Sequence, residues 1–198
     1  MADTFYTLDN TGEGVYREKM SKFISFAVPV TSVDEARETI ATYTNRYHDA
    51  RHVCWAYMVG ADRSLYLSSD NGEPSGTAGK PILGQINSFN LTNVVIIVVR
   101  YFGGIKLGTS GLIVAYREAA REAISAATII ECHEQAILRF TFPYLSMEPV
   151  MRLIKSGDIK VLDQAFNNTC EMTVQLRADH APELQRRLAD IPGLSIID

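Results

Sequence analysis

Between Pro74 and Arg117 the chain carries no acidic residue, yet it holds Lys80, Arg100, Lys106 and Arg117. Four cations without an acid, inside a chain of formal net charge −4, mark a candidate anion footprint. A buried sheet and helix that exclude acids would explain part of the pattern, but Lys80 and Lys106 fall in predicted loops. The run FGGIKLGTSG (102–111) feeds straight into a helical pattern. Backbone N–H groups at a helix start favour phosphate or carboxylate, and glycines let it approach. Gly103, Gly104 and Gly108 supply that loop, Lys106 a charge, Thr109 and Ser110 two hydroxyls. The order G-x-x-x-x-G-K-[ST] is absent, so no Walker A loop is predicted. Tyr101 and Phe102 beside Arg100 could stack on an exposed base.

A second polar stretch, DNGEPSGTAGK (70–80), precedes the first. Asp70 and Glu73 stand three apart on it, and His52 lies upstream on a strand pattern with Cys54 two residues on. Carboxylates and an imidazole suit acid–base or metal chemistry, but a solvated turn and packing against a helix explain the same residues. No second ligand pair and no Ser/His/Asp or Cys/His spacing is visible. Neither metal nor cofactor is expected.

The 198 residues are 46% apolar and 21% charged, which excludes a disordered chain. Nineteen basic against twenty-three acidic residues exclude a protein that coats nucleic acid by bulk charge. Three separated cysteines, no secretory pattern in MADTFYTLDN and no long apolar run predict a cytoplasmic protein without a membrane anchor. Gly72, Gly76, Gly79, Gly84, Gly103, Gly104, Gly108 and Gly111 are eight of the thirteen glycines, so unusual backbone geometry gathers around the two loops.

The elements that must position these loops follow from periodicity. A strand is predicted over 22–30, then a helix capped by Ser32 and Glu35 with Ala36, Ile40, Tyr43 and Tyr47 on one face. Residues 52–60 and 64–69 read as a hairpin, and Pro81 as the first residue of a short helix. NVVIIVVR (93–100) is apolar on both faces and so a central strand. A long helix over 112–127 buries Leu112, Ala115, Tyr116, Ala119, Ala123 and Ile124. A boundary falls at 131–135, giving domains 1–131 and 135–198. The second half reads βαββαβ, the ferredoxin-like order, and offers no cluster of titratable groups.

The stretches DARHVCWAY, DNGEPSGTAGKPIL, VVRYFGGIKLGTSGL and AYREA, in this order, resemble the IMPACT/YigZ family. The resemblance covers nearly the whole chain, including a motif loop of His52, Asp70, Gly72, Glu73, Pro74, Thr77 and Gly79. It implies an α+β protein of two domains. The first would have the two-layer fold of a ribosomal protein domain with a left-handed βαβ crossover, similar to domain four of elongation factor G. The second would be ferredoxin-like, similar to that factor's domain five. It also implies a regulatory role at translation, since eukaryotic members restrain the kinase that answers amino-acid starvation.

The expected function is therefore a non-enzymatic regulator whose first domain binds RNA, the ribosome or another polyanion through Lys80, Arg100 and Lys106. Two alternatives stay open. One is an enzyme or sensor for a small phosphorylated ligand, with Glu73 as base. The other is an adaptor in a stress or translation pathway, docking a protein partner through its second domain.

Overall fold

A computed structural model of the chain describes residues 4–197. It divides into two compact units between Cys132 and His133.

The first unit runs β1 (Thr4–Leu8), β2 (Gly12–Glu18), β3 (Ser21–Pro29), α1 (Val33–Arg46), β4 (His52–Val59), β5 (Leu65–Ser69), α2 (Gly79–Ser88), β6 (Val94–Tyr101), α3 (Gly108–Ser125) and β7 (Ile129–His133). Five strands form one antiparallel sheet in the order β2-β3-β6-β4-β5, and β1 pairs with β7 separately. β6 takes the centre because it is apolar on both faces. Val94, Ile96 and Val98 face one core with α2 and α3, whereas Val95, Ile97 and Val99 face the other with α1. Helices thus lie on both faces of the sheet, and α1 adds a layer to the two-layer arrangement implied by the resemblance.

Local sequence explains most element boundaries. Ser32 accepts a hydrogen bond from the Glu35 amide at 3.1 Å and caps α1. The Glu35 carboxylate reaches one residue further back than a regular capping box, to the Thr31 amide and hydroxyl. The predicted face of α3 is buried as expected, whereas in α1 only Ala36 is buried and Ile40, Tyr43 and Tyr47 are half-buried against the same core. β1 and β2 carry no strand prediction, and in β2 Gly12 and Gly14 weaken the pattern. The packing supplies the reason for those residues: a Cβ on Gly12 would lie 2.0 Å from the Ala123 carbonyl oxygen of α3. Only glycine lets the strand lie so close to the helix.

The second unit comprises β8 (Gln135–Pro143), α4 (Met147–Lys155), β9 (Lys160–Ala165), β10 (Thr169–Arg177), α5 (Ala181–Ala189) and β11 (Ser195–Ile197). Its sheet order is β11-β8-β10-β9 and its pairs are antiparallel, which is the ferredoxin-like arrangement. Leu138, Phe140, Phe142, Met172 and Val174 form its core with α4 and α5. The opposite sheet face carries Ile137, Arg139, Glu171 and Thr173, with Arg139 and Glu171 ion-paired.

Candidate functional site

Asp70 organises the first loop. Its carboxylate accepts the N–H groups of Gly76, Ala78 and Gly79 at 2.8, 3.0 and 2.8 Å. Ala78 and Gly79 open α2, so Asp70 satisfies orphan donors of that helix from outside it. This anchor starts α2 at Gly79, which moves Pro81 from the predicted first position to the third. Burial works against the charge on Asp70, but the three backbone donors and nearby Lys80 outweigh it and hold its carboxyl below the usual aspartate range. The rest of the loop is also structural. Thr77 Oγ1 donates to the Pro74 carbonyl at 2.6 Å, the Glu73 amide bonds the Asp70 carbonyl at 2.9 Å, and Gly72 lies against His52. Gly79 lies against the backbone of Ser69.

Glu73 faces inward. Its Oε1 accepts Arg100 Nη1 at 2.6 Å and the Tyr116 hydroxyl at 2.8 Å. The side chains of Arg100 and Glu73 are 7% and 3% exposed, so this is a buried ion pair. The Cys54 thiol continues the cluster, 3.4 Å from the Tyr116 hydroxyl and 2.9 Å from the Asp70 carbonyl. Burial pushes the thiol up to about 12, and the neighbouring carboxylates add to the shift. Cys54 is therefore a neutral, unreactive thiol at physiological pH. Burial likewise raises the Tyr116 hydroxyl and keeps it a neutral donor.

These contacts correct two expectations. Arg100 is not a free surface cation, since Glu73 offsets its charge and only 7% of its side chain is exposed. Glu73 is not a free general base, since both donors converge on one of its oxygens. Arg117, the fourth cation of the acid-free stretch, sits 3.6 Å from Glu118. Cys54 and Tyr116 complete the cluster; the sequence marked Tyr116 only as core and paired Cys54 with His52, not with Glu73. An ionisable residue inside an apolar strand or helix stripe was the one signal available.

Arg100 nonetheless forms the floor of an open cleft of about 370 Å³. Its guanidinium lies over the rings of Phe23 and Phe102, at 5.6 and 5.5 Å. Nη1 makes its one hydrogen bond, and Nε is buried with no partner. The rim is built by Arg51 and His52 at the start of β4, by Pro74, and by Phe102, Lys106 and Thr109 around the start of α3. His52 Nδ1 is 2.9 Å from the Asn71 carbonyl. Arg51 and Lys106 are exposed and make no ion pair among the described residues.

α3 begins at Gly108, four residues before the predicted start, so Thr109 and Ser110 occupy its first turn. No side chain caps this end and no acid lies in the first turn. Its first turn, with the partial positive charge of a helix start, therefore borders the cleft that Gly108 and Thr109 line.

The structure brings together only part of the predicted set. Lys106, Gly108, Thr109, Arg100, Phe102, His52, Glu73 and Pro74 line the cleft. Tyr101 does not, because strand alternation sends it to the α1 face, where its hydroxyl donates to Asp49 at 2.9 Å. Ser110 borders a separate depression with Glu18 and Lys19. Lys80 stays with the Asp70 loop. Gly103 serves packing rather than ligand approach, since a Cβ there would lie 2.1 Å from the Met20 carbonyl group. Gly104 and Gly108 adopt φ of +91° and +74°, which sets the path into α3.

A family model described as the Impact N-terminal domain matches residues 19–124, a range that contains every residue of the cleft. The IMPACT family member YigZ of Escherichia coli is 33% identical over 174 residues, covering 87% of this chain and 85% of its own length. The family member YvyE of Bacillus subtilis is 34% identical over 171 residues, 86% of this chain and 79% of its own. The chain belongs to the IMPACT family. A solved structure described as a hypothetical protein covers 100% of this chain at 28% identity, with 98% of its own length and a TM-score of 0.77. The IMPACT domain thus holds the loops, the buried pair and the cleft, whereas the ferredoxin-like unit lies outside the matched range.

Proposed function

We propose that this IMPACT family member is a non-enzymatic, translation-associated regulator whose first unit binds RNA through the Arg100 cleft. The carrying observation is the convergence on one concavity of Arg51 and Lys106, unpaired among the described residues, the Arg100 floor and the uncapped start of α3. These are phosphate-binding groups drawn from separate elements of an acidic protein. Phe102, 52% exposed, offers a ring on which a base can stack for about 1–3 kcal/mol. The family resemblance supplies the link to translation. Glu73, Cys54 and Tyr116 are committed to one another, which favours binding over catalysis.

Few phosphates are contacted, so affinity should be modest and fall with salt at a log–log slope of roughly −0.7 per neutralised phosphate. Co-sedimentation with ribosomes and with free single-stranded RNA, at low and high salt, tests the proposal beside Lys106→Glu. Salt-sensitive binding lost in the variant is expected. Binding indifferent to both salt and the variant would refute it and point to a protein partner, for which the open sheet face of the second unit is the place to look.

A further inference from the structure

We infer that the cleft takes the phosphorylated end of an RNA strand, a terminal phosphate monoester, and not an internal phosphodiester; this rests on the RNA-binding function proposed above. Depth is the first ground. The donor at the bottom, Arg100, is 7% exposed and sits between the Phe23 and Phe102 rings. A strand passing over the surface has sugar on both sides of each phosphate, so its backbone cannot descend to that floor without folding into the cleft. A chain end can enter. About 370 Å³ falls within the roughly 300–1,000 Å³ range of pockets that enclose a single small ligand.

Unmet hydrogen-bonding capacity is the second ground. Arg100 Nε is buried and unpartnered, and Nη1 alone of the guanidinium is hydrogen-bonded. Buried donors are nearly always satisfied, so this unmet donor marks the guanidinium that lines the cleft as short of an acceptor. The uncapped first turn of α3, with Gly108 and Thr109, lines the same cleft. A monoester presents three strong acceptor oxygens on one atom, whereas a diester offers two.

Charge is the third ground. Glu73 cancels Arg100, leaving Arg51, Lys106 and a helix start worth about half a positive charge. That surplus matches the ~1.5–2 negative charges of a monoester near neutral pH better than the single charge of a diester. The nucleotide bearing the phosphate would lean on the outer ring face of Phe102.

Competition against a labelled, hydroxyl-ended single-stranded RNA bound to the full chain tests this. The competitors are one sequence with a 5′-phosphate, with a 3′-phosphate, with both ends hydroxyl, and as a closed circle, together with adenosine 5′-monophosphate. A phosphorylated end should compete roughly tenfold better or more, the effect of one charge-assisted contact. The ratio should collapse towards one in Lys106→Glu and in Arg51→Ala, with the Trp55 fluorescence of each unchanged as proof of folding. Equal competition by phosphorylated, hydroxyl-ended and circular RNA would overturn the end-binding inference while leaving RNA binding standing. No binding of any RNA would overturn both. Competition by the mononucleotide as strong as by the phosphorylated strand would also overturn the inference, by naming a free nucleotide as the ligand.

Discussion

Replacing Glu73 with glutamine should weaken the fold and strengthen the cleft in a single step. The glutamine amide keeps an oxygen where Oε1 accepts from Arg100 and Tyr116, so shape and both hydrogen bonds survive. What disappears is the negative charge, and the guanidinium is then left buried at 7% exposure without compensation. Removing one partner of a buried pair costs about 3–5 kcal/mol, and the retained hydrogen bonds place this case at about 3 kcal/mol. With a urea m-value of about 2 kcal/mol/M, the unfolding midpoint should fall by roughly 1.5 M. Trp55 is the single tryptophan and lies on β4, so its fluorescence follows the first unit. The same substitution adds one net positive charge to the cleft floor, so phosphate-bearing ligands should bind tighter and restore part of the lost stability by mass action. An unchanged midpoint together with unchanged affinity would show that Glu73 does not neutralise Arg100, and the charge reasoning for the cleft would fail.

Asp70→Asn should destabilise the first unit by about 2–3 kcal/mol at pH 7, through loss of charge-assisted bonds to the α2 start. Because the folded carboxyl lies below its ordinary range, its contribution is complete above the unfolded value near 4 and is lost as pH falls through the folded value. The gap between wild type and variant in urea midpoint should therefore narrow progressively as pH falls below about 4, and a constant gap would contradict this. Gly103→Ala should cost about 1–3 kcal/mol, since its Cβ would meet the Met20 backbone at 2.1 Å; an unchanged thermal midpoint would refute that contact. Cys54, pushed up to about 12, should have about one part in ten thousand as thiolate at pH 8. Mass spectrometry should find it unmodified by thiol reagents in the native protein, and rapid labelling would show the buried cluster to be open.

Periodicity made most of this fold legible, because apolar residues recur at the spacing of the element they build. NVVIIVVR could only be a central strand, and the α3 stripe named its buried face. Gly12 and Gly14 hid β2, since their reason is the nearby surface of α3, a contact distant in sequence. The start of α3 was hidden for another reason: Thr109, Ser110 and Gly111 read as a loop, yet a first turn tolerates them because its N–H groups lack partners in any case. The candidate site was legible in composition but not in charge balance. An acid-free stretch suggested four free cations, whereas Glu73 reaches Arg100 across 27 positions and Glu118 neighbours Arg117. Strand alternation alone should have separated Tyr101 from Arg100 and Phe102.

The most direct measurement is a two-dimensional nitrogen–proton NMR titration of the full, isotopically labelled chain with a short 5′-phosphorylated RNA. The Arg100 Nε–H is buried and so shielded from solvent, which gives the cleft floor its own resonance. Saturable shifts confined to that resonance and to the amides of Lys106, Gly108 and Thr109 are the predicted result. Shifts centred on the second unit, or on the Asp70 loop with Arg100 Nε–H unmoved, would contradict the assignment of function to this cleft.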